Sequence, residues 1–406
     1  MLACFGALGF CVPAGAFAAP RMMVGAAEDA GKQPSLLGAK AKMDLAQLAG
    51  FNAIRETTIW APGQTEPTAD ELNLLKNSAD AADLDGITLI LSVYQWGGTT
   101  TPRTPAARAE FAAFCAALAK GLPNVTHFIV GNEPNVNRFW WPQFGPKGED
   151  LAARDYELML ADSYDAIKAV SPDIVVIGGS VSPHGGDDPK AVRKTHSPTT
   201  FIPDLGRYYR ATHRTKPLMD AFDFHPYPER SKTPPDLQHP NTSTVSLADY
   251  GKLVGLLRSA FDGTAQPGAK LPIYYNEFGV QSTIPLAAQA AYTNLTAPSG
   301  RDAVSEKAQG ESYRYAIDIA SCQPTVQAFL IFHVSDESDL DRWQSGVFYA
   351  DDKPKSSLGA VRTAALAARA GRIPGCGRTK GHHGATPPPA AGHRNGSTKP
   401  GTHRRG

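Results

Sequence analysis

Apolar residues fall along this chain in short, nearly unbroken runs, separated by longer stretches in which they recur every three or four positions. The short runs predict strands near residues 21–26, 52–57, 87–93, 126–132, 174–179, 220–225, 272–276 and 326–332. The periodic stretches predict helices near 39–49, 68–84, 105–120, 150–170, 200–212, 246–261, 305–321 and 356–370. Turn residues announce several strands: Gly50 before Phe51-Asn52-Ala53-Ile54, Asp85-Gly86 before Ile87, and Pro172-Asp173 before Ile174. Strands joined through helices run parallel and are buried on both faces, which is why these runs do not alternate with polar residues. The repeat predicts an α/β fold, a single-domain (β/α)8 TIM barrel over residues 20–376 with enlarged loops. An open doubly wound sheet is the rival; no Gly-x-Gly-x-x-Gly follows the first strand, which weakens its nucleotide-binding form.

Composition adds bounds. The chain has 406 residues, 42% of them hydrophobic, enough for a large core. The formal net charge is +1, but residues 377–406 hold six Lys/Arg and no acid, which leaves −5 on the rest. A mildly acidic body argues against a nucleic-acid partner, which needs a basic face. The last thirty residues carry few large apolar side chains and read as a disordered basic tail, open to attraction by an acidic cell envelope. His382-His383 there offers metal ligands but reads more simply as part of that solvated tail. Residues 1–19 are small and apolar and end in Ala16-Phe17-Ala18-Ala19, the form of a signal peptidase site, although no Lys or Arg precedes them. Export to the extracellular space is therefore expected. Cys4 and Cys11 would leave with that segment; Cys115, in an apolar helical pattern, reads as core, and Cys322 and Cys376 are candidates for a disulfide that pins the end of the fold.

In an eight-fold barrel the reactive groups stand where strands end on the C-terminal side. The fourth predicted strand runs into Gly131-Asn132-Glu133-Pro134-Asn135 and the seventh into Asn276-Glu277-Phe278-Gly279. A carboxylate at the end of an apolar strand is costly unless it is hydrogen-bonded or protonated, and such sites are where function is found. Two carboxyl groups aimed into one pocket suit glycoside cleavage. All five tryptophans, Trp60, Trp96, Trp140, Trp141 and Trp343, fall just past predicted strands, and indole faces stack on the C–H faces of sugar rings. The expected partner is an oligo- or polysaccharide, with no cofactor, no metal and a monomeric chain.

These two motifs resemble the retaining glycoside hydrolases of clan A, family 5 first and family 39 second. The resemblance implies Glu133 as general acid/base, Glu277 as nucleophile and Asn132 as ligand of the sugar hydroxyl beside the reacting carbon. Gly50-Phe51-Asn52-Ala53-Ile54-Arg55 is similar to the family's second strand, which assigns Arg55 to holding the nucleophile ionised; Glu56 is the competing partner for that guanidinium. Asp223-Phe224-His225-Pro226-Tyr227 resembles the family's His-x-Tyr, which places His225 near the acid/base or the sugar and Tyr227 on the nucleophile. Two departures stand out. The family's histidine after strand 3 is replaced by Val93-Tyr94-Gln95-Trp96, and its tryptophan floor after strand 8 by Ile331-Phe332-His333-Val334, so that His333 becomes a candidate sugar contact. Asp336, Glu337, Asp339 and Asp341 beyond it either line an outer subsite or are solvent-facing loop charges, the latter being the simpler reading. Two other classes remain open: a metal-dependent barrel hydrolase using His127, Asp223, His225 and His333, and a catalytically silent carbohydrate-binding barrel.

Overall fold

A computed structural model describes residues 22–296, 302–373 and 376. The expected signal segment and the whole basic tail, with His382-His383, lie outside the described residues. Eight parallel strands close into a barrel in sequence order, each followed by a helix. The strands are β1 (Met23–Ala27), β2 (Ala53–Trp60), β3 (Thr88–Gln95), β4 (His127–Val130), β5 (Val175–Val181), β6 (Ala221–Phe224), β7 (Ile273–Phe278) and β8 (Val326–Phe332). The helices are α1 (Leu36–Leu48), α2 (Ala69–Leu84), α3 (Pro105–Gly121), α4 (Leu151–Val170), α5 (Pro198–Ala211), α6 (Tyr250–Phe261), α7 (Glu306–Ser321) and α8 (Leu358–Arg369). β8 pairs with β1 along Met23↔Ala328 to Ala27↔Phe332, which closes the ring.

Two apolar layers hold the barrel. Inward-facing Ala53, Ile90, Ile129, Ile177, Ala221, Tyr274 and Leu330 fill its interior, while the opposite faces of the same strands pack against the helices. The inner layer is tight between β1 and β2: a Cβ on Gly25 would lie 1.8 Å from the Ala53 carbonyl oxygen, so only glycine fits there. Helix starts follow their caps. Thr68, Thr104, Asp150 and Ser305 each accept a backbone N–H from the first turn of α2, α3, α4 and α7. A disulfide joins Cys322, at the end of α7, to Cys376, and buried Cys115 is a free thiol in the core.

Candidate active site

Glu133 stands three residues past the end of β4, on a sharply turned backbone. Gly131 has φ +89 and Glu133 itself φ +37. A Cβ on Gly131 would meet the Tyr156 ring at 2.7 Å, so the turn needs glycine there. The strained Glu133 backbone is held by its N–H, which donates to the Ser180 carbonyl at 2.8 Å. Ser180 has φ +47, follows Gly179 at φ +101, and lies where the β5–β6 register breaks between Gly178 and Val181. That bulge re-aims the Ser180 hydroxyl, which donates to Asp223 Oδ2 at 2.6 Å.

Glu277 is supplied by β7 directly. Arg55 Nη1, from β2, donates to its Oε1, and the Tyr227 hydroxyl donates to its Oε2 at 3.1 Å. Arg55 Nη2 bonds Ser92 Oγ and Asn132 Oδ1, both at 3.2 Å. Because guanidinium only donates, the Asn132 oxygen must face it, which leaves the Asn132 NH2 free to donate elsewhere. β6 ends at Phe224, short of the expected reach, yet the His225 N–H still bonds the Val181 carbonyl, and the Tyr227 N–H returns across Pro226 to the His225 carbonyl at 2.8 Å. Asp223, His225 and Tyr227 thereby converge on the barrel mouth. His225 Nδ1 lies 3.2 Å from Glu133 Oε1 and 3.7 Å from Glu277 Oε2, and one ligand atom from each of these three residues falls within a 4.8 Å set.

Burial and neighbouring charges oppose one another across the site. Burial alone would raise the Glu277 carboxyl, but the His225 and Arg55 charges outweigh it and hold Glu277 below the ordinary carboxylate value. Burial likewise opposes the charge on His225; Glu277, Asp223 and Glu133 overcome it and push the imidazole up to about 10. Asp223, fully buried, is held low chiefly by the His225 charge. Tyr227 is raised far above its usual range by burial and by the two glutamates, so it remains a donor. The glutamate side chains are 17% and 13% exposed, open to solvent on one side and supported on the other.

Two of the expected sugar contacts are corrected. β2 runs on to Trp60, three residues further than its apolar pattern suggested, and alternation turns Trp60 outward beneath α3, where its ring meets Phe111 edge-on at 5.5 Å. Trp140 is equally buried, edge-on to Tyr156 at 5.6 Å. Neither offers a face to a ligand. Trp96 and Trp141 are open, at 74% and 42% exposure. Trp343, half-buried, packs against Tyr227 at 5.5 Å and Phe332 at 5.3 Å, beside the partner of Glu277. His333 has φ +82 and stacks on Phe332 at 4.0 Å; it makes no hydrogen bond to Glu133 or Glu277. Glu56 does not compete for Arg55: it points outward, is buried beneath α2, and accepts from Ser78. Asp336 is not a solvent-facing charge but a buried partner of Lys355 at 2.7 Å.

Three residues beside the carboxylates carry no motif: Ser92, Ser180 and Tyr94. Gly178-Gly179 inside a strand is a bulge signal that could have pointed to Ser180. Tyr94 takes the strand-3 end and its ionisation is suppressed by burial.

The four imagined metal ligands do not assemble, because His127 opens β4 at the far end of the barrel from Glu133. Among the described residues the only His/Cys/Asp/Glu group close enough to share an ion is Glu133, His225 and Glu277. The Arg55 guanidinium on Glu277 opposes a cation's charge beside this group.

No family model matches the chain, and no curated protein matches it by sequence. Solved structures do. GH5_18 from Streptomyces cattleya, in complex with GlcNAc, superposes with a TM-score of 0.58 at 16% identity over 86% of this chain and 81% of its own. The exo-β-1,4-mannosidase Op5Man5 from Opitutaceae bacterium strain TAV5 gives 0.53 at 16% identity over 88% and 62%. A monomeric β-xylosidase from Caulobacter crescentus CB15 gives 0.50 at 17% over 85% and 69%. The fold is the barrel of these glycoside hydrolases.

Proposed function

We propose that this protein is a secreted, retaining β-glycosidase that cleaves an O-glycosidic bond by double displacement. The observation that carries the reading is the meeting of Glu133 and Glu277 around His225 within 4.8 Å, close to the roughly 5 Å that direct carboxylate attack requires and short of the gap that a water between them would need. Glu277, kept ionised by Arg55 and His225, attacks the anomeric carbon while Glu133 gives its proton to the departing oxygen. A glycosyl ester on Glu277 results. Glu133, now a carboxylate, takes a proton from water as that water attacks the same carbon, which releases Glu277 and restores the Glu133 proton.

The supporting residues fit this sequence. The free NH2 of Asn132 suits the hydroxyl beside the reacting carbon. Tyr227 steadies the Glu277 oxygen that does not touch Arg55. Trp343 stands where a sugar floor is needed, from the loop after β8 instead of the strand end. Export is part of the proposal and is supported by the Ala-x-Ala pattern and by the Cys322–Cys376 disulfide, a bond that persists in oxidising compartments.

The test is a Glu277→Ala variant assayed on activated aryl glycosides. Turnover should vanish, and added azide should restore it with a glycosyl azide of inverted configuration. Hydrolysis at the wild-type rate in that variant would end the proposal.

A further inference from the structure

The rim beside Glu133 carries a feature that the chemistry of bond cleavage does not use. Trp96 and Trp141 project from adjacent loops after β3 and β4. The loops are joined, since the Gly98 N–H donates to the Arg138 carbonyl at 2.8 Å and the Trp141 N–H to Thr101 Oγ1 at 3.3 Å. A Cβ on Gly98 would lie 3.2 Å from that of Trp141. The loop after β5 is bound in as well: Val136 bridges Thr195, and Asn135 donates to the His196 carbonyl at 2.9 Å. This brings Lys194 over the Trp141 ring, 5.5 Å from its centroid.

The platform is continuous with the pocket. Arg138 lies 5.3 Å from the Phe139 ring, and Phe139 meets Tyr94 edge-on at 6.1 Å. Tyr94 faces into the barrel two residues above Ser92, the Arg55 partner.

Several of its cations have no acidic partner. Among the described residues, no carboxylate lies within 4.0 Å of the charged groups of Arg138, Lys190, Arg193 or Lys194. Three acids of the same loops accept backbone amides and do not reach these cations: Asp187 from Ser197, Asp188 from Lys190 and Glu149 from Lys147, each at 2.8 Å. Lys194, over the Trp141 ring, and Arg138, on the same loop as Trp141, lack a carboxylate partner and leave a surface that an anion bearing a C–H face would complete.

We infer that the leaving-group side of the site takes an acidic sugar, a unit bearing a carboxylate or sulfate that stacks on Trp141 and pairs with Lys194 and Arg138. This rests on the glycosidase reading for its orientation: Glu133 protonates the leaving oxygen, so the loops around Glu133 face the leaving group.

Binding is measured on full-length Glu277→Gln protein by tryptophan fluorescence, with β-linked disaccharides carrying glucosyl, mannosyl or xylosyl units at the non-reducing end. Each is compared in three forms: with a reducing-end uronate, with its carboxyl-reduced alcohol, and with the 6-sulfate of that alcohol. At low salt at least one acidic form should bind about tenfold more tightly than its neutral partner, as two partly exposed ion pairs would give. High salt should erode the advantage, and adding Arg138→Ala and Lys194→Ala should abolish it. The response of uronate against sulfate identifies the anion. Equal affinity within every set, no binding of any acidic form, or an advantage that survives loss of both cations would overturn the inference. Aryl glycoside hydrolysis by the wild type is read separately: its absence would defeat the glycosidase reading while leaving a charge-dependent difference in binding intact.

Discussion

His225 Nε2 stands 3.3 Å from Asp223 Oδ2, and both side chains are sealed from solvent. The imidazole therefore has a buried countercharge on one side and the two glutamates on the other, with Nδ1 3.2 Å from Glu133. Asp223 in turn is fixed by the Ser180 hydroxyl from the β5 bulge. Backbone irregularity in one strand thus positions, through Asp223, a buried countercharge for the imidazole at the mouth.

Replacing Asp223 with Asn should lower the His225 pKa from about 10 by more than one unit, because an opposite buried charge is removed. Imidazole NMR titration reads this directly, with His225→Gln identifying the resonance. A raised His pKa contributes stability that is complete below the ordinary value of about 6.5 and is lost as pH rises toward the folded value. The wild-type Tm should therefore fall between pH 6.5 and 10 more steeply than that of Asp223→Asn. Identical titrations would show that the pair does not set the charge.

Arg55→Gln removes one of the two cations that keep Glu277 ionised. Glu277 is depressed in the wild type, so its acid limb in kcat/KM should lie below the ordinary Glu value of about 4.3. In the variant that limb should move up by roughly one unit or more, alongside lower activity. A limb that stays in place would place the control of Glu277 elsewhere.

Glu133→Gln should separate leaving groups. Substrates whose leaving oxygen needs a proton should slow by about 10²–10⁴-fold, and activated aryl glycosides far less in the first step. Equal slowing of both would argue against an acid role.

Gly279 follows β7 directly. A Cβ there would lie 2.8 Å from Tyr227 Cε1, 3.2 Å from Trp343 Cζ3 and 3.3 Å from Phe332 Cβ. Gly279→Ala should cost about 1–3 kcal/mol in stability by overpacking and displace Tyr227 from Glu277. Urea titration and a fall in kcat on the same sample check both effects; unchanged kcat with unchanged stability would contradict them.

The barrel was legible because parallel strands buried on both faces leave long apolar runs, and each run here is a strand within a few residues. Arg55, Asn132, His225 and Tyr227 were legible because motif and strand end coincide. Trp60 and Trp140 were not: strand length decides which way an indole at a strand end points, and β2 outlasts its predicted end at Thr57 through Thr58, Ile59 and Trp60, while Trp140 is turned into the core by the packing of its loop. Thr58 is polar yet buried, so the apolar pattern could not carry the strand past Thr57. Trp343 reaches Tyr227 and Phe332 from eleven residues past β8, a placement set by loop packing that no local pattern encodes. Ser92 reaches Arg55 only because β2 and β3 pair in one register, Thr57 opposite Ser92.

The account depends on Glu277 forming a bond to the sugar. A 2-deoxy-2-fluoro glycoside with an activated leaving group should trap that ester, and peptide mass analysis should find the added sugar on the fragment containing Glu277, with a stoichiometric burst of the leaving group. An adduct on any other residue, or hydrolysis whose first product has the inverted anomeric configuration and leaves no adduct, would contradict it.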